Sequence, residues 1–112
     1  MKRVEKPWGE EIWFAHNDLY AGKLIRMIKG TRSSLQYHRQ KHETIYFLQG
    51  VARATLEDEG GALAERIVRA GDVIENPPLR KHRLEALEDI ELIEVSTPHL
   101  DDVVRVEDDY RR

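Results

Sequence analysis

The chain of 112 residues is long enough for one domain with a single core but too short for two. Hydrophobic residues make up 40% and charged residues 35% of it, and the formal net charge is −3. This composition indicates a globular protein with a strongly charged surface, and without a basic face or run it argues against nucleic-acid binding. Cysteine is absent, which excludes disulfides and thiolate chemistry, so any metal ligands must be histidine, carboxylate or amide groups.

The start of the sequence and its hydrophobic pattern predict a cytoplasmic protein. The first eleven residues, MKRVEKPWGEE, include basic residues but no apolar stretch like that of a signal peptide. No apolar run approaches the roughly 18 residues that a membrane helix needs. We therefore expect neither secretion nor a membrane partner.

The chain begins with an extended arm, predicted for residues 1–10, and continues as short strands. Within the arm, Pro7 excludes a helix interior, and Trp8 is a large anchor expected to cover one end of the core. EIWF at 11–14 is the first strand candidate. KLIRMIK at 23–29 fits the period of a helix or a strand, but glycines bracket it too tightly for a helix, so a strand is predicted.

Seven further strands are predicted, with turn signals between them. DEGG at 58–61 is a strong hairpin signal, because glycine adopts positive φ without steric cost. Pro77 and Pro78 form a rigid break, and a tail is predicted for 98–112. The seven strands lie at 34–37, 43–48, 51–57, 63–68, 82–87, 90–95 and 103–106. About nine short strands without a convincing helix predict one all-β domain over 1–112, a sandwich or a barrel.

The glycine-bracketed stretch GTRSSLQYHRQKHETIYFLQG, residues 30–50, concentrates side chains that can bind a metal ion. Gln36 and His38 are two residues apart, so in a strand their side chains share one face. Glu43 begins the next strand. An amide oxygen, an imidazole and a carboxylate from adjacent strands form a typical oxygen and nitrogen metal shell. His82 offers the further ligand, and a four-residue metal site is predicted.

Several candidate residues also have ordinary structural interpretations. His42 could replace Gln36 as a ligand, although its parity relative to Glu43 points it to the opposite face. Lysine and arginine side chains are in most proteins solvated surface groups. The acidic residues of the tail are predicted to form a solvated face, namely Asp101, Asp102, Glu107, Asp108 and Asp109.

Two spaced motifs resemble those of the cupin superfamily. They are Gly30-x5-Gln36-x-His38-x4-Glu43-x6-Gly50 and Gly71-x5-Pro77-x4-His82. Glutamine in place of the usual first histidine is similar to the phosphomannose-isomerase branch of the superfamily. KPWGEE, HRLEA and DDVVRVEDDY likewise resemble parts of the C-terminal isomerase domain of type II mannose-6-phosphate isomerases.

The chain departs from this family pattern at several positions outside the metal shell. A glycine of the second motif is Leu79, and an asparagine that commonly follows its histidine is Ala86. Beside Glu43, Lys41 stands where arginine is common, and Thr44 stands where histidine is common. The metal ligands are retained, so the departures bear on the contacts with substrate.

The resemblance implies a jelly-roll β-barrel that holds one divalent metal ion, zinc in preference to manganese, nickel or iron. It also implies a sugar-phosphate isomerase, in which the metal polarises a substrate oxygen while other groups move a proton between neighbouring carbons. Lys41 and Arg80 are the candidate catalytic residues. His42 and Arg105 are the candidate substrate contacts, Arg105 for the phosphate.

Two other functions stay open at this point. A non-catalytic or regulatory sugar-binding cupin is supported by the departures at Lys41, Thr44 and Ala86. A metal-dependent dioxygenase usually has a histidine-rich shell, which the pairing of Gln36 with Glu43 argues against. A homodimer is also expected, because EIWF is predicted to be an edge strand that needs covering.

Overall fold

Two antiparallel β-sheets make up the computed structural model, which describes residues 1–110. The strands are β1 (Lys2–Lys6), β2 (Gly9–His16), β3 (Ala21–Met27), β4 (Leu35–Tyr37), β5 (Glu43–Gln49), β6 (Val51–Glu57), β7 (Leu63–Arg69), β8 (Val73–Asn76), β9 (His82–Ala86), β10 (Ile90–Ser96) and β11 (Val104–Glu107). The sheets have the orders β1-β2-β3-β10-β5-β8 and β11-β4-β9-β6-β7, and no helix occurs within the described range. The predicted all-β, jelly-roll type of fold is confirmed.

Three further observations complete the description of the fold. Arg111 and Arg112, which close the predicted tail, lie outside the described residues. Trp8 is buried in the hydrophobic core, as the sequence predicts. Over residues 1–110 there is no helical segment of the length and apolarity that a membrane crossing requires.

The core lies between the sheets, and one end of the larger sheet exchanges apolar for charged side chains. Residues opposite each other on antiparallel strands share a face, so each row of partners can be followed across the sheet. One inward row is Ile25, Leu92 and Phe47 on β3, β10 and β5. The next is Lys23, Glu94 and Ile45, and the one after contains Ser96, Glu43 and Asn76. A buried polar site therefore forms at this end.

The predicted arm is itself part of the larger sheet. Lys2–Lys6 forms β1 and pairs with β2, which contains EIWF and also pairs with β3. EIWF is therefore covered on both sides, which corrects the expectation that it is an edge strand. The edge strand is β1, whose charged sequence KRVEK discourages pairing with another chain. The homodimer stays a prediction, without the argument from EIWF.

The outward face of the larger sheet offers a different surface to a second copy. One row of partners on it is apolar across five strands. The row consists of Ile12, Leu24, Ile93, Tyr46 and Val73. Tyr46 is 46% exposed and Val73 is 50% exposed. If the predicted homodimer forms, this face is where we expect it.

Gly50 lies at the turn between β5 and β6, which connects the two sheets, and its replacement is expected to destabilise the protein. Its φ is +90°, and a Cβ there would lie 2.2 Å from the carbonyl oxygen of Asp89. We expect Gly50→Ala to lower the free energy of unfolding by about 3 kcal/mol, because left-handed strain and overlap add. Gly71→Ala is the matched control, since Gly71 has φ +93° but no atom within 4 Å of a Cβ. Urea unfolding would contradict the prediction if both variants lost the same stability.

Candidate metal centre

The predicted metal ligands meet where the two sheets approach each other. Gln36 on β4 and His82 on β9 are direct partners in the smaller sheet, so their side chains share a face. His38 follows β4 immediately, and Glu43 begins β5 in the larger sheet. The ligand atoms of His38, Glu43 and His82 all lie within 4.8 Å of one another, and all three residues are buried. These three form the candidate metal site.

The orientation of the two imidazoles is set by main-chain oxygens. His38 Nδ1 donates to the carbonyl of Asp102, and His82 Nδ1 donates to the carbonyl of Arg80 at 3.0 Å. Because a carbonyl oxygen can only accept, each Nδ1 carries the proton in the neutral ring. The unprotonated Nε2 atoms then face Glu43. This arrangement is the usual one for histidines that bind metals.

The Nε2 atoms provide a test of whether a cation fits this site. His38 Nε2 lies 3.1 Å from Glu43 Oε1 but is not aligned for a hydrogen bond, and His82 Nε2 lies 4.0 Å from Oε2. Both buried Nε2 atoms lack a hydrogen-bond partner within residues 1–110, whereas buried polar atoms are normally satisfied. Two imidazole lone pairs beside a carboxylate are a donor set that suits a divalent ion.

Local electrostatics keep these groups in the forms that bind metals. Burial raises the pKa of Glu43, but the charge of Lys41 and the other polar contacts of the carboxylate outweigh it and hold this pKa well below its usual value. Burial lowers the pKa of His82, although the charge of Glu43 opposes that effect. Asn76, which is the strand partner of Glu43, donates to Glu43 Oε2 at 3.3 Å. The carboxylate is therefore ionised and oriented.

Gln36 lies in the predicted place but already has a partner. Its Oε1 accepts a hydrogen bond of 2.6 Å from the Ser34 hydroxyl, and its side chain lines the same cavity as the three buried ligands. The strand partner of Gln36 on β11 is Arg105, which also lines that cavity. Arg105 and Gln36 thus stand side by side at the wall. The role of Gln36 as a fourth ligand stays a prediction.

Lys41 is brought into the site, whereas two other candidates are not. The Lys41 ammonium lies 3.2 Å from Glu43 Oε1 and 2.9 Å from Glu94 Oε2, and the residue is buried. The Arg80 guanidinium instead donates to the carbonyls of Glu57 and Glu75, outside the cavity. Arg80 is therefore not brought to the cavity in this structure, and its catalytic role stays a prediction.

His42 also lies outside the cavity, as its strand parity indicates. Its Nε2 contacts Glu75 Oε2 at 2.7 Å, and its side chain is 43% exposed. Its backbone N–H binds Thr97, which ties the loop to the end of β10. The structure therefore places His42 away from the cavity lining, and its role as a substrate contact stays a prediction.

A line of buried ion pairs extends from the metal ligands, and the sequence reasoning missed it. Beyond Lys41 and Glu94, Lys23 lies 3.9 Å from Glu94 Oε2 and 3.1 Å from Glu11 Oε1. Trp13 also donates to Glu11 Oε1. A sequence signal was present, because Lys23 alternates with Ala21 and Ile25 and should face inward with them.

Asp102 is a structural residue of the site and not part of a solvated face. Its carboxylate accepts hydrogen bonds from the backbone N–H groups of Arg39, Gln40 and Lys41 at 3.0, 2.6 and 2.9 Å. Slight burial opposes ionisation, but these bonds lower the pKa of Asp102 to about 2. Since its carbonyl also holds His38, Asp102 fixes both the ligand and the loop after it.

Two other acidic residues of the tail are engaged as well. Asp109 pairs with Arg32, and Glu107 lies 3.4 Å from Arg83. These pairs attach the tail to the smaller sheet. Both carboxylates remain exposed, at 42% for Asp109 and 64% for Glu107, so the predicted solvated acidic face is corrected for Asp102 alone.

The cavity at the site has a volume of about 120 Å³ and is lined from both sheets. Its polar part carries the metal ligands, Lys41 and Glu94, and Ile25, Ile45 and Leu92 supply apolar wall. A dry cavity of roughly this size accommodates a ligand such as benzene. A short carbon chain with a few oxygens therefore fits inside, and a longer substrate would extend through the mouth.

Comparisons with known proteins agree on the fold. The family model described as a cupin domain matches residues 23–96. None of the curated proteins matches the chain in sequence. A structure of oxalate decarboxylase from Bacillus subtilis superposes with a TM-score of 0.79 at 24% identity over 93% of this chain, which spans only 29% of that protein.

Two further solved structures have the same architecture. A structure from a study of the Mn(II) centres of Bacillus subtilis oxalate decarboxylase superposes with a TM-score of 0.79 at 23% identity, over 95% of this chain and 30% of that protein. The structure of KdgF from a Halomonas species superposes with a TM-score of 0.76 at 22% identity, over 88% of this chain and 87% of that protein. At such low identities these similarities show a shared fold but do not establish a shared activity.

Proposed function

The chain belongs to the cupin domain family, and from this premise we propose that it is a metal-dependent isomerase of sugar phosphates. The observation that carries the proposal is the shared cavity, in which His38, Glu43 and His82 stand beside the buried Lys41–Glu94 pair. A metal site with an ammonium and a carboxylate at hand suits proton transfer next to a carbonyl group.

His38, Glu43 and His82 would hold the ion, with Gln36 as the proposed fourth ligand. When bound, a divalent ion supplies a Lewis acid that polarises a carbonyl or hydroxyl oxygen of the sugar. Zinc is the ion proposed from the sequence, and the mixed nitrogen and oxygen donor set also suits manganese. Manganese is the metal studied in the related oxalate decarboxylase fold.

Lys41 acts in this proposal as a fixed positive charge and not as a proton shuttle. Burial lowers the pKa of Lys41, but the charges of Glu94 and Glu43 outweigh it and raise this pKa above its usual value. The ammonium therefore keeps its proton and can donate a hydrogen bond to the oxygen on which negative charge develops. We therefore propose that Lys41, a candidate catalytic residue from the sequence, is an electrostatic stabiliser.

Arg105 is the proposed contact for the phosphate. Its side chain is 36% exposed, lies beside Gln36 at the cavity wall, and is held only loosely by Asp108 at 3.9 Å. The small cavity would take the reacting carbons, which leaves the phosphate at the mouth within reach of the guanidinium. Arginine suits this task because its planar donors match phosphate oxygens.

Exchange of the proton on C2 of the sugar tests the proposal directly. When Zn²⁺ or Mn²⁺ is present, we expect mannose 6-phosphate and fructose 6-phosphate to interconvert in D2O, and mannose 6-phosphate to lose its C2 proton signal. A chelator should abolish both effects, because the oxygen is no longer polarised. Proton NMR gives the measurement. If no exchange occurs with zinc, manganese, nickel or iron, the isomerase proposal fails.

A non-catalytic sugar-binding cupin is the second candidate, and one observation favours it. Lys41 is already engaged by Glu43 and Glu94, and Arg80 and His42 lie outside the cavity, so fewer catalytic groups are present than the sequence indicates. This candidate predicts that sugar phosphates raise the melting temperature of the metal-loaded protein without proton exchange. Uptake of oxygen during the same assay would instead favour a dioxygenase.

A further inference from the structure

Glu94 is a charged residue at an inward-facing position of its strand, where alternation predicts an apolar side chain. It faces inward on β10, in line with Ile90 and Leu92, and is 6% exposed. A buried carboxylate loses several kcal/mol of hydration unless charged or polar groups compensate for it. Lys41 provides that compensation at 2.9 Å, and Lys23 lies 3.9 Å away. Both contacts involve the same atom, Oε2.

The other oxygen, Oε1, is the one that can act on a substrate. The hydrogen bond from Lys41 goes to Oε2, and among residues 1–110 no hydrogen bond reaches Glu94 Oε1. Glu94 lines the cavity that holds the metal ligands. The oxygens of Glu43, by contrast, face His38 and His82. Glu94 therefore combines a fixed position in the cavity lining with an oxygen that makes no hydrogen bond among residues 1–110.

We infer that Glu94 is the catalytic base of this site, which removes the proton from the substrate carbon next to the carbonyl group and then delivers a proton to the carbonyl carbon. The inference rests on the isomerase proposal. The C–H bond breaks as an O–H bond forms on Glu94 Oε1, and the electron pair moves to the carbonyl oxygen to give an enediolate. While it is bound to the carboxylate, this proton can exchange with solvent. Glu94 then protonates the former carbonyl carbon, and the hydroxyl proton on the neighbouring carbon's oxygen moves to the former carbonyl oxygen, so that the ketose forms without any further reactant.

The surroundings of Glu94 suit a group that takes up and releases a proton. Burial and the charge of Glu43 raise the pKa of Glu94, while the charges of Lys41 and Lys23 lower it, and the balance lies above the usual value. A base is most effective when its pKa approaches the working pH. Lys41 stays paired with Glu43 when Glu94 is protonated, so the site does not lose its ammonium during the reaction.

Glu94→Gln removes the base while it keeps the shape of the side chain. Lys41 retains Glu43 and Lys23 retains Glu11, so neither ammonium is left without a carboxylate. We expect C2 proton exchange in the Zn²⁺- or Mn²⁺-loaded protein to fall ~100-fold or more, with metal content and mannose 6-phosphate affinity unchanged. Glu91→Gln is the matched control, because Glu91 lies on the same strand but pairs with Arg26 on the outer face.

Glu94→Asp provides a second variant in case the amide disturbs folding. Its carboxylate is withdrawn by one methylene group, which should lower kcat while KM stays near the wild-type value. Wild-type exchange in Glu94→Gln, or wild-type kcat in Glu94→Asp, overturns the role of Glu94 and leaves the isomerase proposal standing. Absence of exchange in the wild-type protein with every metal overturns both.

Discussion

Replacement of either buried histidine is expected to lower the affinity for Zn²⁺ or Mn²⁺ by more than about 100-fold, since loss of an outer partner alone typically costs 10- to 100-fold. In His38→Ala and in His82→Ala, one of the two unpartnered Nε2 atoms disappears, and Glu43 is left with a single imidazole. Calorimetric titration of the metal-free protein measures the effect. The melting temperature gained on metal addition should shrink in parallel.

His42→Ala is the control for this pair of variants. His42 is only four residues from His38, but its imidazole pairs with Glu75 outside the cavity. Its metal affinity should therefore match that of the wild-type protein. Wild-type affinity in both His38→Ala and His82→Ala would mean that the ion binds elsewhere.

Lys41→Met is expected to lower the free energy of unfolding of the metal-free protein by about 3–5 kcal/mol. The Lys41 ammonium links Glu43 to Glu94, and its loss leaves two buried carboxylates of which only Glu94 has another ammonium, that of Lys23 at 3.9 Å. From the sequence alone, replacement of Lys41 would be expected to affect turnover and not the site itself. The ion pairs show that stability is affected as well.

Urea unfolding in the presence of a chelator measures this loss, and Lys29→Met is the matched control because Lys29 is exposed. Adding Zn²⁺ should restore part of the stability of Lys41→Met, since the ion supplies positive charge next to Glu43. If Lys41→Met unfolds within about 1 kcal/mol of the wild-type protein, the buried pairs contribute too little to support this account of the site.

Local patterns in the sequence predicted most of the strands, and the two that they missed have clear reasons. β1 is an edge strand with the charged sequence KRVEK, so it lacks the alternation that marks a half-buried strand. β8, VIEN, has only four residues before Pro77 and is easily taken for the turn that follows. Both were recognised only through their partners, which lie far away or across a turn in the sequence.

The candidate site was predictable as far as spacing and parity reach. The i, i+2 relation of Gln36 to His38 and the opposite parity of His42 are local properties. The Lys41–Glu94 pair is not, because it requires β10 to lie beside β5, and these strands are separated by more than forty residues. Arg80 shows that closeness in sequence to a predicted ligand does not place a side chain in the site. It is close to His82 in sequence, but the turn at Leu79, with φ 72°, directs its guanidinium to backbone carbonyls.

The hydrogen bonds of Asp102 have a consequence for the order in which the metal site forms during synthesis of the chain. Asp102 fixes His38 across a separation of 64 residues and braces the loop at 39–41. The ribosome makes the chain from its N-terminus, so His38, Glu43 and His82 all emerge before Asp102, the residue that orients His38. Until Asp102 has been synthesised and docked, the imidazole of His38 is free to rotate. A correctly arranged metal site is therefore among the last features of the domain to form during biosynthesis.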